Sequence, residues 1–448
     1  MTRQMTDSPK RRFNRPGTKN MHRSVKKIGW LSAAALVVAN MIGTGAFTTL
    51  GLQLEGVQNT WSILLLWVAG GGISLLGVFS YAELSTHLPR SGGEYHYLSK
   101  LIHPFVGYLS GWVSVTVGFA AAVSLAAMAM GAYLEKVLHW QPTLTALCVL
   151  LGVTAVHSFS IRKSRNFQML FTVLKVLLVL FLIVTGLVMH NSGDALRWDQ
   201  SWQMEVTSPA FGVALVYTIY AYSGWNAAAY IVEEIKRPAV NIPRALIAGT
   251  LLVSALYVML QYAFLRQAPL AALTGEVEVG QIVAEQLFGL FGGQWISLII
   301  AFFLVSSISA MVWVGPRVMR AMSADYHLWF FLAKDNDKGI PVRAIWFQAG
   351  ISALLIATGS FEAVLLYSGF VLQLSTMLAV ATVFILRRQD KGMAAGYKSP
   401  FYPWAQVLFL LASTWVLVFL FIDRPLESLL GMGNLLLGAA TYWLDRWL

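Results

Sequence analysis

Two interruptions, Met41-Ile42-Gly43-Thr44-Gly45-Ala46-Phe47 and Ala221-Tyr222-Ser223-Gly224-Trp225-Asn226, break long apolar runs at matching places in the two halves of this 448-residue chain. Glycine weakens a helix, and inside a membrane no water repairs the freed N–H and C=O groups, so those groups must face a cavity or a ligand. Opening the helix across Ile42–Gly45 exposes the N–H groups that begin the next half-helix. That end carries about half a positive charge and suits a carboxylate. The Thr44 hydroxyl adds a donor. Carbonyls around Val38 to Met41, with more from Tyr222–Trp225, suit an ammonium group. A carboxylate and an ammonium on one small molecule describe an amino acid. Each break alone also fits close helix packing; as a pair five spans apart they point to a mid-membrane binding site.

Lys175 is the other residue whose position implies chemistry. It falls about eleven residues into its apolar run, near the bilayer midplane at roughly 1.5 Å per residue. A cation at that depth is costly, so it is expected to face the bundle interior and find a partner. Glu83, Glu233, Glu234 and Asp325 fall at inner helix ends, where capping and loop ion pairs are expected, and Glu135 and Glu362 fall at outer ends. No carboxylate lies mid-span in the first, third, sixth, eighth or tenth run, which argues for substrates with uncharged side chains. Tyr220, Tyr222, Trp225 and Trp313 are candidate pocket walls or gates.

The remaining chemistry is sparse. The histidines His22, His87, His96, His103, His139, His157, His190 and His327 include no pair at i, i+3 or i, i+4, and no HExxH, Walker or GxSxG pattern occurs. An enzyme, a pump driven by ATP and a metal or cofactor site are all unsupported. The single cysteine, Cys148, excludes an internal disulfide.

The elements that position these residues are membrane spans. The composition is 57% hydrophobic and 12% charged, against about 25% charged in soluble domains. Runs near the ~20 residues of a spanning helix fall at 28–52, 61–86, 104–134, 142–159, 164–190, 208–232, 242–268, 294–322, 343–358, 361–387, 404–422 and 428–445. With the N-terminus inside, 27 of the 32 basic residues fall on inner segments. Only Lys136, Arg197, Arg266 and Arg424 fall outside, and Lys175 is in a span. This asymmetry supports twelve spans with both termini cytoplasmic, and it accounts for the net charge of +11 without nucleic acid. Residues 1–27 form a basic cytoplasmic tail suited to anionic lipid, and no cleaved signal peptide is expected.

Taken together, the motifs resemble the amino acid–polyamine–organocation superfamily, and within it the L-type, neutral amino acid branch, in a bacterial form. Gly43-Thr44-Gly45-Ala46-Phe47 resembles the GSGIF motif of the first helix. Tyr81-Ala82-Glu83-Leu84 and Pro89-Arg90-Ser91-Gly92-Gly93-Glu94-Tyr95 resemble the loop after helix two. Tyr220–Asn226 resembles the broken sixth helix, and Glu233–Pro238 with Asn241–Ala245 resembles the loop that follows it. Pro316-Arg317 through Ala324-Asp325 resembles the end of helix eight.

The resemblance, over about residues 26 to 390, implies an all-α, LeuT-type five-plus-five inverted repeat with twelve transmembrane helices, helices 1 and 6 broken. The repeats would be residues 28–190 and 208–387, with peripheral helices at 404–446. It implies that Gly43, Thr44 and Gly45 bind the substrate carboxylate, and that carbonyls near Ile42 and Tyr220 to Ser223 bind the amino group. Tyr222 and Trp225 belong to the same site. Lys175 would occupy the region where relatives bind sodium and tie helix five to the broken first helix. The implied function is sodium-independent transport of neutral L-amino acids across the inner membrane by alternating access, as exchange or, alternatively, as proton symport. An amine or polyamine exchanger and a non-transporting sensor are the weaker readings. Ser223 stands where the branch often has glycine, which should narrow the pocket. No outer-loop cysteine is present for a disulfide-linked subunit.

Overall fold

The computed structural model describes residues 28–159, 164–189, 196–323, 325–337, 339–389 and 396–447. The basic tail to Lys27, the inner-loop residues Arg162, Lys163, Lys338 and Lys391, and His22, His190 and Ala324 lie outside the described residues.

Every regular element among the described residues is helical: α1 (Trp30–Met41), α2 (Gly45–Leu54), α3 (Thr60–His87), α4 (Glu94–Leu101), α5 (Pro104–Val113), α6 (Ala120–Leu138), α7 (Pro142–Phe159), α8 (Ser164–Val188) and α9 (Trp202–Val206). They continue with α10 (Pro209–Tyr222), α11 (Pro238–Gln267), α12 (Leu270–Leu273), α13 (Val279–Ser323), α14 (Val342–Thr358), α15 (Phe361–Gln389), α16 (Trp404–Asp423) and α17 (Pro425–Trp447). A π-helical stretch, Ser114–Phe119, joins α5 to α6, and a 3₁₀ segment, Ala227–Glu234, follows α10. The start signals are local. Asn59 caps α3 by accepting from the Trp61 N–H at 2.9 Å, and Ser208 caps α10 ahead of Pro209.

Nine helices among the described residues are long and apolar enough to cross a membrane, with α1–α2 and α5–α6 each counted through their joins. The sequence reading expected twelve spans. The difference is physical: α10 stops after 14 residues at its break, α14 has 17 residues, and α17 begins beside Glu427 and ends with Asp445 and Arg446. The eighth span also starts earlier than expected. α13 runs from Val279, and its path changes at Gly289, where φ is +72°. That backbone conformation is open to glycine at little cost.

The broken pair α1–α2 packs against α8, α10, α11 and α13, and α10 packs against α3, α15 and α16. α11 braces both sides of the first break. The Tyr257 hydroxyl donates to the Met41 carbonyl at 2.5 Å, and Gln261 Nε2, one turn on, donates to the Ala46 carbonyl at 3.1 Å. From α6, the Tyr133 hydroxyl donates to the Phe47 carbonyl at 2.8 Å. Behind the break, Trp67, Tyr222 and Tyr257 form a buried ring cluster with centroids 5.2 to 5.9 Å apart.

Removing the Tyr257 hydroxyl leaves the Met41 carbonyl with the Gly43 N–H as its remaining donor. Tyr257→Phe is expected to lower stability by about 0.5–1.5 kcal/mol, the net worth of one hydrogen bond. Denaturation of the detergent-solubilised protein checks this; wild-type stability would show that the bond does not brace the break.

Candidate substrate site

The residues between α1 and α2 are held out of helical register by their own backbone. The Ile42 N–H donates to the Val38 carbonyl at 2.9 Å, the Gly43 N–H donates to the Met41 carbonyl at 2.8 Å, and Ile42 has ψ of 85°. As a result the N–H groups of Thr44, Gly45 and Ala46 find no hydrogen-bond acceptor among the described residues, and neither do the carbonyls of Ala39 and Asn40 find a donor. The second break has the same character. Ser223 donates to the Tyr220 carbonyl, Gly224 turns the chain with φ of +97°, and the carbonyls of Ala221 and Tyr222 stay unpaired among the described residues.

The two breaks lock into one another through their glycines. A Cβ on Gly45 would lie 2.4 Å from Ala221 Cα, and one on Gly224 would lie 2.8 Å from the Asn40 backbone. Gly43 is different: its nearest neighbour would be the Met41 carbonyl oxygen at 3.9 Å. Gly45 and Gly224 therefore permit contact between the breaks, whereas Gly43 borders open space.

That space is a cavity of ≈ 50 Å³ lined by Gly43, Thr44, Gly45, Lys175, Tyr220 and Ser223, with the small side chains of Ala122, Ala126 and Ala310 opposite. The hydroxyls of Thr44 and Tyr220, both in this lining, are hydrogen-bonded to each other at 3.4 Å. Lys175, only 6% exposed, donates from Nζ to Ser307 Oγ at 2.7 Å. Among the described residues no carboxylate lies within ion-pair distance of it. The expected tie from Lys175 to the first break is therefore absent here; the ammonium reaches α13 instead.

A second cavity of ≈ 440 Å³ shares Asn40, Ala122, Tyr220, Ser223, Ala310 and Met311 with the first and extends to Ile28, Ser32 and Glu234. Trp225 and Trp313 line this larger space. Trp225 is held edge-on to Tyr81 with centroids 4.8 Å apart, and Arg317 stacks on Trp313 at 3.9 Å.

Two sequence expectations fare differently in detail. Tyr222 is fully buried with its hydroxyl donating to the Trp67 carbonyl at 2.9 Å, so its side chain points away from both cavities. Ile42 is likewise buried among core residues, which leaves only its backbone at the break. Sequence reasoning missed Glu94. The residue appeared only as part of a loop motif, yet its side chain is buried and lines the larger cavity. The pocket is therefore not free of carboxylates. Glu83 also departs from the solvated role expected of it. It is buried, pairs with Arg387 at 2.7 and 2.9 Å and accepts from the Ser399 N–H.

A family model described as amino acid permease matches residues 28–431, nearly the whole described chain. The chain belongs to the amino acid permease family. This permease is 28% identical to the serine/threonine exchanger SteT of Bacillus subtilis over 400 residues, covering 88% of the chain and 90% of that relative. It is 28% identical to the large neutral amino acids transporter small subunit 2 of Homo sapiens, covering 94% of the chain and 80% of the relative. Against the human b(0,+)-type amino acid transporter 1 the identity is 26%, with 89% and 83% covered. Membership makes the protein a multi-pass membrane transporter and not an enzyme.

The different surroundings of the two first-break glycines give a prediction. Gly45→Ala must push Ala221 backbone aside and is expected to cost about 1–3 kcal/mol, as overpacking does. Gly43→Ala is expected to stay within about 0.5 kcal/mol of wild type, as changes away from tight packing do. Thermal denaturation of both variants decides; equal losses would mean that the breaks do not interlock.

Proposed function

We propose that this permease exchanges neutral L-amino acids across the bacterial inner membrane without sodium, binding the amino acid between the two breaks. The observation that carries the reading is the arrangement of unpaired backbone groups around one cavity. Amide N–H groups of Thr44 and Gly45 stand at the start of α2, and carbonyls of Ala39, Asn40 and Ala221 end the facing half-helices. The first set favours a carboxylate, and the second an ammonium group. Ala122, Ala126, Ala310 and Met311 leave apolar room for an uncharged side chain. The serine/threonine and neutral amino acid relatives point the same way.

In this reading the chain crosses the bilayer twelve times, with residues 28–190 and 208–387 as inverted repeats, 404–446 peripheral and both termini cytoplasmic. The larger cavity then opens inward, past Ile28 and Glu234. Lys175 supplies a fixed positive charge beside the carboxylate site, in the place of a bound sodium ion, and its hold on Ser307 joins α8 to α13. Moving α1, α2 and α10 relative to α13 would change what the ammonium faces, which makes Lys175 the group through which closure is sensed.

The test is uptake of labelled neutral amino acids by purified protein in liposomes without sodium. Uptake is expected to need internal amino acid. Uptake into empty liposomes driven by an inward proton gradient would contradict exchange and establish proton symport. Lys175→Ala is expected to cut exchange at least tenfold with normal insertion, and Gly43→Leu is expected to abolish amino acid binding by filling the open space beside Gly43. Wild-type exchange in the lysine variant would remove Lys175 from the mechanism, and normal binding in the glycine variant would misplace the site.

A further inference from the structure

The larger cavity contains a charge that the proposed exchange does not use. Glu94 is the first residue of α4, and Gly93, with φ of +54°, turns the chain so that this side chain folds inward. A Cβ on Gly93 would lie 2.3 Å from the Tyr230 ring, so glycine is also what lets that ring close over the carboxylate. Glu94 Oε1 accepts from the Tyr81 hydroxyl at 2.7 Å and from Asn226 Nδ2 at 2.9 Å, and Oε2 accepts from the Tyr230 hydroxyl at 2.6 Å. All three donors are neutral. Among the described residues no cation lies within ion-pair distance of this carboxylate.

The rest of the lining sharpens the point. Among the described residues the charged ones lining this cavity are Glu94 and the exposed Glu234, with no lysine, arginine or histidine beside them. A carboxylate whose donors are all neutral has no counter-charge beside it, and it offers about four acceptor positions, of which three are used here. A guest cation would take the fourth and offset the desolvation cost of the buried carboxylate. The space, ≈ 440 Å³, admits a whole amino acid.

We propose that this cavity is a second station on the substrate path, for a primary ammonium group, with Glu94 as its counter-charge. The inference rests on the proposed site between the breaks only for the direction of travel. An amino acid leaving that site passes its ammonium end to Glu94, while Lys175 stays beside the carboxylate end. A molecule with an ammonium and no free carboxylate binds the second station alone.

The probes are leucine, leucine methyl ester, which keeps the ammonium but not the carboxylate, and N-acetyl-leucine methyl ester, which has neither charge. Direct binding is measured on purified Gly43→Leu protein and on the same protein carrying Glu94→Gln. Gly43→Leu is expected to lose leucine at least tenfold and to keep the methyl ester. Adding Glu94→Gln is expected to weaken the ester at least tenfold, and Glu94→Asp to restore part of it. The acetylated ester should not bind. No ester binding to Gly43→Leu, ester affinity within twofold after Glu94→Gln, or equal binding of the uncharged ester would each overturn the proposal. The first and third readouts need no Glu94 variant to fold. Undiminished leucine binding to Gly43→Leu would instead count against the site between the breaks, and the Glu94 comparison would still decide this station.

Discussion

Backbone N–H and C=O groups cannot be left unpaired in a hydrocarbon interior without a cost of several kcal/mol each. In this permease the rule is met almost everywhere by continuous helices, and it is suspended at two facing points. The chain stabilises the openings with side chains drawn from neighbouring helices: Tyr257 and Gln261 from α11, and Tyr133 from α6. What those braces do not reach is a small set of donors on one side and acceptors on the other. The glycines that interlock the breaks, Gly45 against Ala221 and Gly224 against Asn40, fix the distance between the two sets. In the proposed function a zwitterion of matching length would complete the pairing that the fold leaves undone.

Charge is distributed along the same path. Among the described residues the smaller cavity carries Lys175 and no carboxylate, whereas the larger carries Glu94 and Glu234 and no cation. On the proposed route, unlike side chains lining two adjoining spaces would give a direction with which an amino acid's own dipole aligns. Neither side chain is neutralised by the other, because Lys175 is held by Ser307 on α13, and Glu94 by Tyr81, Asn226 and Tyr230. Asn226 and Tyr230 belong to the start of the 3₁₀ segment beyond α10, so the carboxylate also ties the second break to α3 and α4.

Much of this was legible in the sequence, for reasons that differ by residue. The breaks could be read because they come as a pair at matching places in the two halves, which close helix packing alone does not require. Lys175 could be read because a lone cation at membrane depth must face inward. Its partner could not, since a serine one helix away carries no sequence mark. Tyr220 and Tyr222 were both expected at the pocket, yet residues two apart on a helix point about 200° from each other, so at most one could line it. The structure places Tyr220 there and turns Tyr222 into the ring cluster with Trp67 and Tyr257. Glu94 escaped because span counting treats a loop helix as exterior. Only the positive φ at Gly93 and the close Tyr230 ring bring its side chain inside.

The most direct measurement is an experimental structure of this permease with a neutral amino acid bound. The account predicts the carboxylate within hydrogen-bond distance of the Thr44 and Gly45 N–H groups, and the ammonium against the carbonyls that end α1 and α10. An amino acid lying wholly in the larger cavity, with the groups at the breaks still unpaired, would contradict it.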